Sequence, residues 1–415
     1  MTHGFLAGAI FALTIGAIVF LAERISEWKA ALIGACLMLL GGIETVPSAW
    51  ATLLAEWDVL LFFAGLAVIV AAAEESQLFA WLAQVAARVA DGSGRRLYFA
   101  VLCVAGIVTV FFTNDAAVLV MIPLVAQLVR TFGLPVAPFA LSVAFIANAA
   151  SALLPISNPT NYIIAQAAGL TLFPYLRLVA LPGLAAAAAA LLFLWLFFGR
   201  RMRATYDPAA TAAKAPTLVF RLTFGLVAVA MLTASALHFP VGAAAIGGGA
   251  VLILLIAIES GKQAASALRR THVSIVVLVA SLFVVVDGLR HAGLLDAPTR
   301  WLAEVLHAHD AIAAPLSALL MALASNVANN LPMSMVAVQM LHHDAFSGAG
   351  ATRFAAGTIV GLAIGPNLTP VGSLSTILVL ITLRRTGLQV ALHEYLVPGA
   401  LVTAITLLAA ALAFF

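Results

Sequence analysis

Two polar breaks in an otherwise apolar chain hold the side chains that could do chemistry. Asn114-Asp115 lies inside one apolar stretch, and Asn329-Asn330 lies inside another, 215 positions later. Each is followed by a second break. Downstream of the first comes Pro155-Ile156-Ser157-Asn158-Pro159-Thr160-Asn161, and at the same offset comes Pro370-Val371-Gly372-Ser373-Leu374-Ser375-Thr376. Desolvated Asn, Ser and Thr side chains, with the carbonyls of unwound backbone, offer neutral hydrogen bonds to a small solute. The candidates from the first half are Thr113, Asn114, Ser157, Asn158, Thr160 and Asn161. Those from the second are Ser325, Asn326, Asn329, Asn330, Asn367, Thr369, Ser373, Ser375 and Thr376. The competing role for each is structural: capping a half-helix or bridging two helices.

Asp115 is the one group among them that can carry a proton. It is the sole acidic or basic residue between Arg96 and Arg130. A carboxylate at membrane depth is costly and is a functional group by default. Taking up a proton removes that cost, which suits a proton-coupled carrier. The competing role is again an N-cap, here at the tip of a hairpin. The offset places Asn330 opposite Asp115, so the duplicated site is chemically asymmetric.

The elements that must position these residues follow from composition. The chain is 64% hydrophobic and 9% charged, with mean hydropathy +1.13, against about 25% charged for an ordinary soluble domain. The stretch from Phe354 to Leu383 carries no charge at all. A membrane span needs roughly 20 apolar residues. Ten spans are expected, near 4–22, 30–46, 58–73, 136–165, 178–198, 217–238, 241–258, 273–289, 354–383 and 395–415. The first reads as a span rather than a removed leader, since it lacks a basic start and a small-residue cleavage site.

The stretches 97–129 and 311–341 are too long for one span and are broken at their centres. Each is expected to be a re-entrant hairpin with a polar tip, tolerated only where it is buried in protein or faces a water-filled cavity. With the N-terminus outside, 16 Lys and Arg fall inside and 4 outside, as the positive-inside rule requires. Counting either hairpin as a crossing spoils that bias. The expected fold is therefore an all-α polytopic membrane protein of two inverted-topology repeats, 1–205 and 217–415, joined by a cytoplasmic linker at 206–216. Each repeat holds five spans, a re-entrant hairpin and a broken helix. The first hairpin enters from the inside and the second from the outside, and both termini are extracytoplasmic. Trp81-Leu82-Ala83-Gln84-Val85 and Trp301-Leu302-Ala303-Glu304-Val305 echo each other before each hairpin and are expected to be interfacial helices. Paired interrupted helices in corresponding positions point to a transporter's binding site.

Several functions are disfavoured. Basic residues are scattered between apolar segments, so the pI of 9.1 does not indicate a nucleic-acid partner. Cys36 and Cys103 lie in apolar segments and form no framework. The histidines fall in loops or at span ends without metal-ligand spacing, and no cofactor or metal is expected. Gly247-Gly248-Gly249 has no following Lys-Ser/Thr and so is no phosphate loop; it lets helices pack closely. Glu74, Glu75 and Asp287 read as interfacial or helix-pairing groups.

The segments FFTNDAAVLVMIPLV (111–125), AFIANAASALLPISNPTNYI (144–163), ASNVANNLPMSM (324–335) and GPNLTPVGSLSTILVLITLRRTG (365–387) resemble the arsenite efflux permeases of the ion-transporter superfamily. The NNLPM and GPNLT segments carry the resemblance most strongly. It implies export of arsenite and antimonite in exchange for protons, by elevator-like movement of a hairpin-bearing unit in the plasma (inner) membrane. It also implies that some members work with a soluble ATPase. Asn148 stands in IANAAS where many arsenite permeases carry Asp, which leaves Asp115 as the chief proton candidate. Arsenite is a neutral trihydroxide at pH 7 and suits a site of neutral donors and acceptors. Silicic acid export, sodium/proton antiport and, from a different class, an ion channel remain alternatives; no nucleophile or metal cluster suggests an enzyme.

Overall fold

The computed structural model describes residues 2–202, 204–207, 214–385 and 390–415. The expected linker at 206–216 lies partly outside the described residues, as does Arg203 of the inside basic set. Among the described residues the fold is all helix, with one isolated bridge between Ser93 and Thr205.

The first half runs α1 (Thr2–Phe20), α2 (Glu27–Leu40), α3 (Val46–Ala55), α4 (Trp57–Glu75), α5 (Leu78–Val89), α6 (Gly94–Phe111), α7 (Asn114–Ala116), α8 (Ile122–Thr131), α9 (Val136–Ala150), α10 (Pro159–Ala167), α11 (Leu172–Tyr175) and α12 (Leu181–Phe197). A π-turn at Ala117–Met121 joins α7 to α8, and another at Leu176–Ala180 joins α11 to α12. The second half runs α13 (Leu218–Ala236), α14 (Val241–Glu259), α15 (Gly261–Arg270), α16 (Ser274–His291), α17 (Asp296–Ala308), α18 (Ala313–Ala328), α19 (Asn330–Leu341), α20 (Gly348–Ile364), α21 (Leu374–Arg385) and α22 (Leu392–Leu412). With α7–α8 and α11–α12 each counted as one rod, both halves have the same ten elements in the same order.

Packing repeats the duplication. Helix α4 lies along α14, and their equivalents α16 and α2 lie along each other. Helix α6 packs on α9 as α18 packs on α20, and α12 packs on its own counterpart α22. Such reciprocal contacts are what a pseudo-twofold axis requires. Small residues permit the closest of them: a Cβ on Gly361 would meet Ala318 O at 2.3 Å. The Gly247–Gly249 run has the packing role expected of it, since a Cβ on Gly248 would meet Val227 at 2.4 Å.

Among the described residues, ten helices are long and apolar enough to cross a membrane, but they are not the ten spans expected. Helix α2 has 14 residues, only about 21 Å at 1.5 Å per residue. The expected spans 136–165 and 354–383 are each divided by an unwound segment into two shorter helices. Their places are taken by Gly94–Phe111, Asn114–Thr131 and Asp310–Ala328, which are arms of the two hairpins. Those arms are longer than short re-entrant helices need to be. Their tips are nevertheless buried inside protein: Thr113, Asn114, Asn329 and Asn330 all lie in the core. The Trp81 and Trp301 segments form α5 and α17, while α3 and α15 were not anticipated.

Ion pairs join ends that the expected layout puts on one side. Glu23 pairs with Arg384 at 3.3 Å and Glu75 with Arg270 at 3.9 Å, all on the inside. Glu44 meets His291 at 2.7 Å, and Arg353 meets Asp310, all on the outside.

Candidate functional site

The two breaks adopt the same backbone in both halves. Leu154 (φ −128°, ψ 153°) matches Thr369 (φ −137°, ψ 156°), and each starts a short 3-10 turn. Asn158 (φ −148°, ψ 129°) then matches Ser373 (φ −139°, ψ 137°) ahead of α10 and α21. The hairpin tips are capped alike, one residue away from the register read in the sequence, although the caps differ in backbone (Thr113 φ 158°, Asn329 φ 69°). Thr113 caps α7 by accepting from Ala116 N at 3.2 Å, and Asn329 caps α19 by accepting from Leu331 N at 3.3 Å. Asn114 and Asn330 are therefore both first helical residues, and Asp115 is opposite Leu331 rather than Asn330. The acid has an apolar counterpart.

Unwound backbone at depth must find partners, and the asparagines supply them. Asn161 Nδ2 donates to Ser151 O at 2.6 Å and to Leu154 O at 3.2 Å. Asn326 Nδ2 donates to Gly365 O at 2.9 Å, while its Oδ1 accepts from Thr369 N and Oγ1 at 3.0 and 2.7 Å. Each tip is tied to the break of its own half. Ser157 Oγ donates to Val110 O at 2.7 Å, and Asn329 Nδ2 donates to Val371 O at 3.1 Å.

An asparagine ladder crosses the pseudo-twofold. Asn114 Nδ2 donates to Asn148 Oδ1 at 3.3 Å, Asn148 Nδ2 to Asn367 Oδ1 at 2.9 Å, and Asn367 Nδ2 to Phe145 O at 3.1 Å. All three side chains are buried. Asn148 was not among the sequence candidates. Its signal was a lone Asn in the apolar run AFIANAASALL.

Beside this polar core lies a cavity of ≈ 480 Å³. Thr113, Asp115 and Ser375 line its deep end, with Pro159 of the first break. Asp115 hydrogen-bonds the Ser375 hydroxyl, and Ser375 Oγ lies 2.7 Å from Ser373 Oγ. The first-half tip thus meets the second-half break at the one acid. The walls are mostly apolar, from Phe63, Leu66, Val70, Leu119 and Leu278 among others. Glu27, Glu74, Arg270 and His272 form a charged rim.

Of the sequence candidates, only Thr113, Asp115 and Ser375 line the cavity. The others lie in the polar core around it. Asn158 caps α10 through Thr160 N at 3.1 Å and also donates to Ser151 Oγ at 3.3 Å. Asn330 is buried in the first turn of α19, and Thr376 lies against the Tyr395 hydroxyl. Thr160 Oγ1 and Asn161 Oδ1 are buried without a protein partner.

Outside this region, Glu44, Asp287 and His291 converge, with possible ligand atoms within 4.8 Å of one another. The spacing of the histidines gave no sign of this cluster, because residues 44 and 287 are far apart in the chain. The group is already engaged: Asp287 accepts from Arg290 Nε at 2.7 Å and from Thr52 Oγ1 at 2.8 Å. It joins the α2–α3 connection and α3 to α16 as a charged staple, which bears out the helix-pairing role expected of Asp287.

Residues 17–352 match a family model described as a citrate transporter. The arsenical pump membrane protein of Escherichia coli is 30% identical over 419 residues, covering 96% of this chain and 95% of that protein. Its namesake in Yersinia enterocolitica is 31% identical over 420 residues, with the same coverage. Among solved structures, the YdaH transporter of Alcanivorax borkumensis covers 100% of this chain and 96% of its own at a TM-score of 0.54. At 15% identity it bears on the fold alone.

Proposed function

Since the chain belongs to the citrate transporter family and to the family of the arsenical pump membrane proteins, we propose that it exports arsenite and antimonite, as neutral trihydroxides, in exchange for protons. The observation that carries this reading is Asp115. It sits at the deep end of the cavity, hydrogen-bonded to Ser375 and beside Thr113, so one carboxylate faces neutral hydroxyls.

The geometry suits competition between two ligands for one group. As(OH)₃ offers O–H donors to an ionised carboxylate and acceptors to the Thr113 and Ser375 hydroxyls. A proton on Asp115 removes the acceptor the substrate needs. An unpaired carboxylate is too costly to move through the apolar interior, so the site would move only with substrate or with a proton. That restriction alone produces exchange. Each cycle carries one neutral solute out and one proton in, and is therefore electrogenic.

The moving unit in this reading comprises the hairpins α6–α8 and α18–α19 with the broken helices α9–α10 and α20–α21. It slides, elevator-fashion, against a scaffold that includes the α4–α14 and α2–α16 pairs. Both termini are extracytoplasmic in the inner membrane. The charged rim is then cytoplasmic, and the cavity opens inward.

Everted membrane vesicles test the proposal. Arsenite should accumulate when the interior is made acidic, and antimonite should compete. If folded protein accumulates no arsenite but dissipates the pH gradient on addition of silicic acid or sodium, the substrate assignment is wrong.

A further inference from the structure

A second polar contact lies on the side of the first broken helix away from the cavity. Tyr162, on α10, donates its hydroxyl to Asp58 Oδ2. The same hydroxyl accepts from the backbone N–H of Val241, at the start of α14. Asp58 Oδ1 accepts from Gly242 N at 2.8 Å. A helix N-terminus favours a carboxylate, and Asp58 on α4 supplies one to α14. Space there is tight: a Cβ on Gly242 would meet Asp58 O at 2.2 Å. The Tyr162 ring also rests on Phe62 at 4.4 Å between centroids. A tyrosine of the hairpin-bearing unit is thus seated between two scaffold helices, where it binds a buried carboxylate and a helix end together.

Its position relative to the cavities gives this contact its meaning. The cavity that holds Asp115 reaches the first break at Pro159. A separate vestibule of ≈ 290 Å³ reaches the same break at Pro155, lined by Trp57, Gln166, Ser235 and His238 among others. Asp58 and Tyr162 form part of its inner wall. Both cavities thus reach one unwound segment; Tyr162 and Asp58 line the second and not the first, and the expected layout puts the helix ends around that second cavity, at Trp57, His238 and Pro240, on the outer side.

We propose that Tyr162 and Asp58 form an extracytoplasmic clasp. It holds the hairpin-bearing unit in the inward-open state and must release before substrate reaches the outer vestibule. This rests on the elevator reading above and adds the residues that set its inward–outward balance. The clasp spans the sliding boundary, since Asp58 belongs to α4 and Tyr162 to α10. Its opening costs a hydrogen bond to a charged group, so its loss should shift that balance about tenfold toward the outward state.

The test uses two single-cysteine reporters in the full-length protein, with Cys36 and Cys103 replaced by Ser: Leu119→Cys in the inner cavity and Ser235→Cys in the outer vestibule. A membrane-impermeant maleimide is applied from the cytoplasmic side to the first and from the outside to the second. In the parent, Leu119→Cys should react and Ser235→Cys should be protected. Tyr162→Phe should slow the first reaction and speed the second, each about tenfold, and the isosteric Asp58→Asn should shift both in the same directions. Unchanged rates at both reporters, or a change at only one, would overturn the clasp. Protection at Leu119→Cys in the parent would overturn it without further substitution. Labelling needs no substrate. A reciprocal shift in protein that fails to transport arsenite would therefore refute the substrate assignment and leave the clasp standing.

Discussion

The two halves share a backbone and differ in chemistry. At the first tip, Thr113 caps a helix whose second residue is Asp115, and that acid faces a cavity. At the second tip, Asn329 caps a helix whose second residue is Leu331. The breaks repeat this pattern: Asn158 and Ser373 have matching conformations, yet Ser373 contacts Ser375, the partner of the acid, while Asn158 is spent on capping. Duplication supplies two interrupted helices that meet at mid-depth. In the proposed mechanism, function enters where the copies diverge, with an acid from one half and a hydroxyl from the other.

The comparison breaks most sharply at the acid. Asp115→Asn keeps the shape and hydrogen-bonding capacity of the tip but cannot carry a proton. Proton-driven arsenite accumulation should fall to the level of empty vesicles while the protein elutes as a folded species. Undiminished accumulation would remove Asp115 from the coupling step.

The ladder is the next largest effect. Asn148→Ala leaves Asn114 Nδ2 without its acceptor and Asn367 Oδ1 without its donor, both buried. At about 1–3 kcal/mol for each unsatisfied group, the loss should be about 2–6 kcal/mol, read as a lower midpoint in thermal unfolding. Asn148→Asp should be milder, because an acceptor is kept for Asn114.

The tips give a finer contrast. Asn329 has φ 69° and ψ 154°, a region that glycine tolerates far better than a branched side chain. Asn329→Val should therefore destabilise by about 1–3 kcal/mol, and Asn329→Gly by less. Thr113→Val loses chiefly its cap, about 1 kcal/mol. Equal effects of the two valine substitutions would mean that the second tip stores no strain.

The smallest effect lies in the first half, away from the tips and breaks. Burial raises the Glu56 carboxyl from 4.5 to about 7. A raised carboxyl is stabilising in its protonated form, so its contribution is present at low pH and is lost as pH rises through about 7. Glu56→Gln should match the parent below pH 4.5 and exceed it in stability above about pH 7, by on the order of 1 kcal/mol after discounting for partial exposure. A gain confined to acid pH would reverse the assignment of burial as the cause.

Much of the architecture was legible because membrane constraints are blunt. Apolar length, the mid-stretch Asn pairs and the Lys/Arg bias marked the helices, the hairpin tips and the order of the halves. The positions of α3 and α15 were hidden, since ten-residue helices between spans leave no length signal. The register of the tips was misread by one residue because Asn-Asp and Asn-Asn look alike, whereas the caps that set the register are Thr113 and Asn329. At the site, sequence drew attention to every polar residue in the breaks. It set Asp115 apart by its charge but could not separate Thr113 and Ser375, which face the cavity, from Asn158, Asn161 and Asn326, which satisfy unwound backbone. That distinction depends on where each side chain turns. The roles of Asn148, Asp58 and Tyr162 were not legible, because each is revealed only by a partner distant in the chain.

Proton release on arsenite binding tests the central claim most directly. Purified protein in weakly buffered, mildly acidic detergent solution is titrated with arsenite while pH is recorded, beside Asp115→Asn. Competition at one carboxylate predicts release of up to one proton per arsenite bound by the parent and none by the variant. Equal release from both, or binding by the parent with no proton released at any pH, would contradict it.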